Sequence, residues 1–334
     1  MSLPNLPASM RAIEISEPGL PEVLRLCERP VPTVLAGELL IKVAAAGLNR
    51  GDIVQRQGNY PPPPGASDLP GLEVSGTVVA VGPHTTGFEV GQEVCALLPG
   101  GGYAEYCAVP STHCLPIPRG VSLIDAAALP EALCTVWGAV WHEGEFAEGE
   151  SLLVQGGSSG IGVAAIQMAA ALGHPVYTTA GSDEKCVACT ELGATRAINY
   201  QKEDFSAVVR TATQGAGVNV ILDMVGGNYV PREISALADY GRLIFIAALG
   251  GHLANFDIYE VMKRRLKITG STLRSRPPAY KAAMVKALMV RIWPHIASGK
   301  IRPVVDRRFA LHEAAAAHAA LEAGGHVGKI LLVV

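Results

Sequence analysis

A chain of 334 residues is long enough for about two domains of ordinary size, and 49% hydrophobic with only 17% charged residues is the composition of a packed core, not of a disordered chain. A formal net charge of -3, with no basic stripe to offset it, excludes the simplest nucleic-acid binder, and no apolar run approaches the roughly 18 residues that a bilayer span needs. Residues 1–10 hold two prolines and no charge, which fits neither a secretory signal nor a transit helix. The expectation is a cytoplasmic protein, with no membrane partner, behind a loose N-terminal extension.

Over residues 11–129, apolar runs at 38–43, 74–81 and 104–109 are separated by glycine, proline and Asp/Asn clusters. That texture predicts short antiparallel strands in a partly open barrel. Tyr60 and the four prolines after it predict an extended loop. Near residue 132 the texture changes. Strand-like segments at 152–155, 175–180, 196–199, 218–223, 242–247 and 266–271 alternate with helical stretches at 160–172, through Leu192, from Phe205 and from Val230. Such alternation predicts right-handed βαβ units and a six-stranded, doubly wound parallel sheet. After Arg274 an amphipathic helix over 280–298 leads to a closing apolar strand at 328–334, a tail expected to return to the N-terminal domain.

Seven cysteines, an odd number without a recurring interval, argue against a disulfide framework and for a reducing compartment. Cys186 and Cys189 make one CxxC pair, but a zinc ribbon needs a second. Spaced i, i+3 on a helical stretch, they read as a reduced structural pair.

The most informative stretch runs from Val154 to Gly162, VQGGSSGIG, between a strand and an alanine-rich helix. Glycines let a backbone approach a pyrophosphate, and the free N–H groups of a helix N-terminus face it. The spacing departs from GxGxxG, because Ser159 holds the middle position, yet strand, turn, helix and following strand are all in place. Two other readings use the same letters. Gly156–Gly160 also spells GxSxG, with Ser158 as a hydrolase nucleophile and Asp223 and His312 downstream in the right order. Gly162, and the lack of a preceding HGGG-type segment, weigh against it. A short-chain dehydrogenase would use Tyr259 and Lys263 as YxxxK, but its glycine turn opens the chain, whereas about 150 residues precede this one; a solvated helix face is the preferred reading of that pair.

With the turn placed after a barrel-like domain, the chain from Met10 onward resembles the medium-chain dehydrogenase/reductase superfamily in its quinone oxidoreductase (zeta-crystallin-like) branch. AAAGLNRGDIVQRQGNYPPPPG at 44–65, LPGLEVSGTVVAVG at 69–82, GAGVNVILDMVGG at 215–227 and HVGKILL at 326–332 carry the resemblance. It implies an α/β fold: a Rossmann doubly wound parallel sheet over residues 132–274, plus a GroES-like, mainly antiparallel β-barrel over 1–131 completed by 275–334. Zinc enzymes of the superfamily ligate metal with a cysteine and a Gly-His-Glu segment; here those positions read Asn49 and Gly71-Leu72-Glu73. Leucine has no lone pair to give, so no metal is expected. Cys95, Cys107 and Cys114 lack the spacing of the structural zinc lobe. Without a Lewis acid, simple alcohol oxidation is disfavoured.

The resemblance places Asn49, Asp52, Tyr60 and Ser159 beside the nicotinamide, with Thr135 supporting it. It places the dinucleotide against Gly157, Ser158, Ser159, Gly160, Ile161, Val225, Ala247, Ala248, Leu249, Leu273 and Lys329. NAD enzymes present an Asp or Glu at the tip of the second strand; here that strand ends in Thr179-Ala180-Gly181-Ser182. Lys185 and Tyr200 coincide with the family's grip on a 2′-phosphate, so NADPH is the expected cofactor, near Gly181 and Ser182. The expected reaction is hydride transfer from NADPH to a quinone, with an enone or alkenal reductase as the alternative and a non-catalytic nucleotide binder as the third reading. The sixth strand would lie at a sheet edge, which in the family joins two subunits, implying a homodimer.

Overall fold

A computed structural model describes residues 6–334. The first five residues of the expected N-terminal extension lie outside the described residues. Ser9 and Met10 are not loose: they open strand β1 (Ser9–Ile15), and Met10 is buried. The chain forms two compact units, one of Met1–Cys134 with Arg274–Val334 and one of Thr135–Leu273.

In the first unit β1 pairs antiparallel with β2 (Leu24–Pro30). The main sheet has seven strands. β3 (Glu38–Gly47), β4 (Glu73–Val81), β5 (Glu93–Leu97) and β7 (Cys114–Pro116) follow one another antiparallel, and β6 (Tyr106–Pro110) pairs with β3. The tail returns as expected: β15 (Lys329–Val333) pairs antiparallel with β3, and β14 (Val305–Ala310) lies parallel outside β15. Leu39, Ile41 and Val43 alternate along β3 into a core with Val74, Val78, Val94, Ile330 and Leu332. Each such fully buried aliphatic side chain contributes about 1.5–3 kcal/mol. The predicted helix over 280–298 is two helices, Pro278–Arg291 and Trp293–Ala297. Pro294 is the physical reason: it has no N–H to donate and restricts the residue before it.

The second unit is a sheet of six parallel strands, β8 (Leu152–Val154), β9 (Val176–Ala180), β10 (Arg196–Asn199), β11 (Val218–Asp223), β12 (Leu237–Phe245) and β13 (Lys267–Gly270), in the order β10-β9-β8-β11-β12-β13. Helix Gly160–Ala171, built of small apolar residues, follows β8 and is buried from Gly162 to Ala169. Helices Asp183–Glu191, Phe205–Ala212, Val230–Ala236 and Ile258–Arg264 follow β9, β10, β11 and β12. β13 has no neighbour on its outer side within the unit.

Candidate active site

The strand order of the second unit reverses between β8 and β11, and in such sheets ligands bind beyond the carboxyl ends of the strands at that reversal. The glycine turn follows β8 there. Ser159 caps helix Gly160–Ala171, its Oγ accepting from the Gly162 N–H at 2.9 Å, and Val163 N–H closes on the Ser159 carbonyl. The N–H groups of Gly160 and Ile161 therefore have no acceptor within the helix and open the positive end of its dipole. Gly162 is required by packing: a Cβ there would lie 2.3 Å from the Gly156 carbonyl oxygen and 2.5 Å from the Gly157 Cα. The turn thus fits a diphosphate and sits where the fold binds one. Ser159 Oγ, already an acceptor, has only Met224 Sδ at 3.6 Å as a further neighbour.

At the tip of β9, Ser182 caps helix Asp183–Glu191 by accepting from the Lys185 N–H at 3.3 Å. A Cβ on Gly181 would stand 2.7 Å from the Tyr200 hydroxyl, so the tyrosine ring end lies against the tip where Gly181 has no side chain. Gly181 lies against Tyr200, and Ser182 caps the helix turn that carries Lys185. The Asp183 carboxylate is paired: Asn199 Nδ2 donates to it at 2.6 Å and Lys202 Nζ at 2.5 Å. Those two donors, Lys202 first, hold its carboxyl below the usual range. Sequence reasoning missed Lys202 and Asn199, which come from the end of β10 and the turn after it.

Beyond β11 and β12 the backbone ties two loops together. Leu249 N–H donates to the Met224 carbonyl at 3.1 Å and Gly250 N–H to the Val225 carbonyl at 2.7 Å. Val225, Ala247, Ala248 and Leu249 therefore share one edge, with Leu249 exposed, while Leu273 is buried at the end of the unit. Thr135 lies in helix Pro130–Val136, where the second unit begins. The hydrolase reading gains no support. Asp223 spends its oxygens on the Val225 and Gly226 N–H groups at 2.6 and 2.8 Å. Tyr259 is 65% exposed and Lys263 pairs with Glu260, a solvated helix face as expected. Cys186 and Cys189 are free thiols on helix Asp183–Glu191, and burial pushes the Cys189 thiol up to about 12, far from reactivity.

In the first unit, the end of β3 and the start of β15 bring Asn49, Glu73 and Lys329 together. Lys329 Nζ donates to the Leu48 carbonyl, to Asn49 Oδ1 and to Glu73 Oε1, each at 2.6 Å. Asn49 Nδ2 donates to the same Glu73 oxygen at 3.0 Å, and the Glu131 N–H takes the other at 2.9 Å. Glu73 and Lys329 are both buried, so this is a paired, fully hydrogen-bonded ion pair. An ammonium has three hydrogens, and all three are taken. That corrects the expectation for Lys329: it has no donor left for a cofactor, and it holds Asn49 and Glu73 instead. Two positions that carry metal ligands in the superfamily's zinc enzymes, Asn49 and Leu72, offer an amide tied to an ammonium and a hydrocarbon. Among the described residues no group of three His, Cys, Asp or Glu side chains could hold a metal ion.

Asp52 was expected beside the nicotinamide. It is wholly buried, and its two oxygens accept from the Asn49 N–H at 2.8 Å, capping helix Arg50–Arg56, and from the Gly71 N–H at 2.9 Å. Burial outweighs those bonds and pushes its carboxyl up to about 6. The Asp52 carboxyl thus fixes the segments that carry Asn49 and Leu72. Tyr60 is held by Arg274, which sequence reasoning missed: Arg274 Nη1 donates to the Tyr60 carbonyl at 2.9 Å, Nε to the Pro99 carbonyl at 2.7 Å, and the guanidinium lies 5.0 Å from the ring centroid. Burial, with the Glu131 carboxylate adding to it, pushes the Tyr60 phenol up to about 12, so it is a hydroxyl donor at neutral pH.

The similarities to known proteins follow the same division. Residues 35–119 match the alcohol dehydrogenase GroES-like domain and residues 160–289 the zinc-binding dehydrogenase domain. A quinone oxidoreductase of Rattus norvegicus is 31% identical over 97% of this chain and 98% of its own. A phenolphthiocerol/phthiocerol polyketide synthase of Mycobacterium tuberculosis is also 31% identical over 96% of this chain, which spans only 14% of that much longer protein. Among solved structures, a mycobacterial protein complexed with NADPH superposes with a TM-score of 0.85 at 31% identity, covering 97% of this chain and 100% of its own. An enoyl reductase, CurK, gives 0.84 at 26% identity, covering 98% and 99%. No helix of the described residues is long and apolar enough to cross a membrane. A six-stranded Rossmann-like sheet, a GroES-like sheet completed by the C-terminal tail and full-length similarity to quinone oxidoreductases together establish that this chain belongs to the medium-chain dehydrogenase/reductase superfamily, on its zeta-crystallin-like side.

Proposed function

We propose that the chain is a zinc-independent reductase that takes hydride from NADPH and gives it to a quinone. The observation that carries the reading is the tip of β9. Gly181 is backed by the Tyr200 hydroxyl, Lys185 stands in the first turn of the helix after it, and the nearby Asp183 is tied to Lys202 and Asn199. A strand tip that ends in glycine and serine and is followed by a lysine suits a 2′-phosphate better than a 2′-hydroxyl, with the Glu184 carboxylate held at the Ser182 side chain. Bound NADPH would supply the hydride chemistry. The chain's own part is to hold the diphosphate at the Gly160 and Ile161 N–H groups and to present the Tyr60 hydroxyl as a hydrogen-bond donor for an acceptor oxygen, while Asn49 spends its amide hydrogens on the Gly47 carbonyl and Glu73. A quinone is already a good electrophile, so it needs neither a metal nor a strong general acid.

The similarity to the CurK enoyl reductase favours a second reading, reduction of an enone or enoyl group by the same hydride. The deciding experiment is a titration with NADPH and NADH followed by steady-state rates on a panel of quinones and enones. NADPH binding with turnover of quinones is expected. Turnover confined to enones rejects the quinone substrate, and failure to bind either nucleotide rejects the reading altogether.

A further inference from the structure

Behind the glycine turn runs a relay of buried side chains that the hydride chemistry does not use. Glu233, on helix Val230–Ala236, is fully buried; its Oε1 accepts from Gln155 Nε2 at 2.9 Å. Gln155 Oε1 accepts from Thr179 Oγ1 at 2.7 Å, and Thr179 Oγ1 accepts from the Gly156 N–H at 3.1 Å. Thr179 also takes the Gly157 N–H on its carbonyl at 2.8 Å. Three elements, helix Val230–Ala236, the end of β8 and the end of β9, are thus joined through groups with almost no solvent contact. Solvent cannot replace a lost member, which is what makes such a chain directive.

The far end is unusual. Glu233 Oε2 is buried without a hydrogen-bond partner, and the neighbouring Asp223 is a second buried carboxyl whose oxygens accept from two backbone N–H groups. Two carboxylates cannot both be ionised in one dry site. Burial pushes the Asp223 carboxyl up as well, but its two backbone N–H donors oppose that and favour the charge on Asp223. Glu233 keeps a proton, pushed well above its ordinary range by burial and by Asp223 beside it, and that proton gives the orphaned Oε2 a use as a donor toward Asp223.

We propose that Glu233 is a positioning residue for the nucleotide site: through Gln155 and Thr179 it holds the Gly156 N–H, and so fixes the turn that points the Gly160 and Ile161 N–H groups at a diphosphate. The inference rests on the reading of that turn as the NADPH site. A neutral glutamine reproduces both ends of the protonated acid, its oxygen accepting from Gln155 and its NH₂ donating to Asp223. Alanine reproduces neither. Serine at 179 keeps the relay hydroxyl, and valine removes it.

The test is NADPH fluorescence titration of the full chain carrying E233Q, E233A, T179S or T179V, with hydrogen exchange of the peptide over residues 154–162 measured without nucleotide. E233A and T179V are expected to weaken NADPH by about tenfold and to speed exchange of the turn. E233Q and T179S are expected to stay within about threefold of the parent in both. Loss in E233Q equal to that in E233A overturns the relay, as does unchanged exchange in E233A. Should the parent bind no NADPH while exchange follows the expected order, the relay stands as the brace of the turn and only the nucleotide assignment falls.

Discussion

Lys185 is the side chain on which cofactor choice turns. It lies in the first turn of helix Asp183–Glu191, its N–H held by Ser182, next to a strand tip that Gly181 leaves open. A charge-assisted hydrogen bond to a phosphate contributes about 1.5–3 kcal/mol, so Lys185→Ala is expected to weaken NADPH by roughly ten- to a hundredfold. NADH has no 2′-phosphate and should bind as before. Equal losses for both nucleotides in a paired titration would remove Lys185 from the assignment. Lys329 shows the opposite case at the same scale. It was expected at the cofactor, yet its ammonium is saturated by Leu48, Asn49 and Glu73. Its burial and its partners depend on β15 returning to β3, which sets Lys329 against Asn49 across 280 positions of chain, a contact that no local pattern encodes.

At the scale of elements, the close contact of helix Gly160–Ala171 with its own entry turn is the feature most sensitive to a single atom. A methyl group on Gly162 would meet the Gly156 carbonyl and the Gly157 Cα well inside contact distance, and both are backbone, so neither can swing aside. Gly162→Ala is expected to cost about 1–3 kcal/mol, as overpacking does. It should also lower NADPH affinity, because the N–H groups at the helix head would tilt. A urea midpoint and a binding titration together check this; a variant with unchanged midpoint and unchanged affinity would mean that the turn yields freely. The same elements show what was legible in advance. The six parallel strands could be read because short continuous apolar runs, the mark of strands buried on both faces, alternate with stretches of helical length. The break at Ile292 escaped because apolar periodicity continues through Pro294, and periodicity reports a face, not a missing N–H. The relay of Glu233, Gln155 and Thr179 left only a faint trace, polar residues at otherwise buried positions, since its meaning depends on three segments distant in sequence. The turn was legible from its own glycines between a strand and a helix, whereas Asn49, Asp52 and Tyr60 were named only through the family's spacing. Their partners, Arg274 and Lys329, come from the tail and became visible only in the fold.

For the whole molecule, the open side of β13 poses a question of assembly. The strand ends the sheet of the second unit, and its outer row of N–H and C=O groups has no partner within that unit. Helix Ile258–Arg264, the element preceding β13 in the chain, exposes Ile258, Tyr259 and Met262 at 67%, 65% and 68%. An unpaired edge is an arrangement that an antiparallel copy of the same strand satisfies, because a two-fold axis sets residue i of one strand against j of the other and j against i. We therefore propose a homodimer that continues the sheet across β13. Light scattering is expected to give twice the chain mass at micromolar concentration. Met262→Glu, which puts a charge into the exposed apolar group of helix Ile258–Arg264, should shift the species to one chain mass without changing NADPH binding. A parent protein that scatters as a single chain refutes the dimer, and a dimer indifferent to Met262→Glu moves the interface elsewhere.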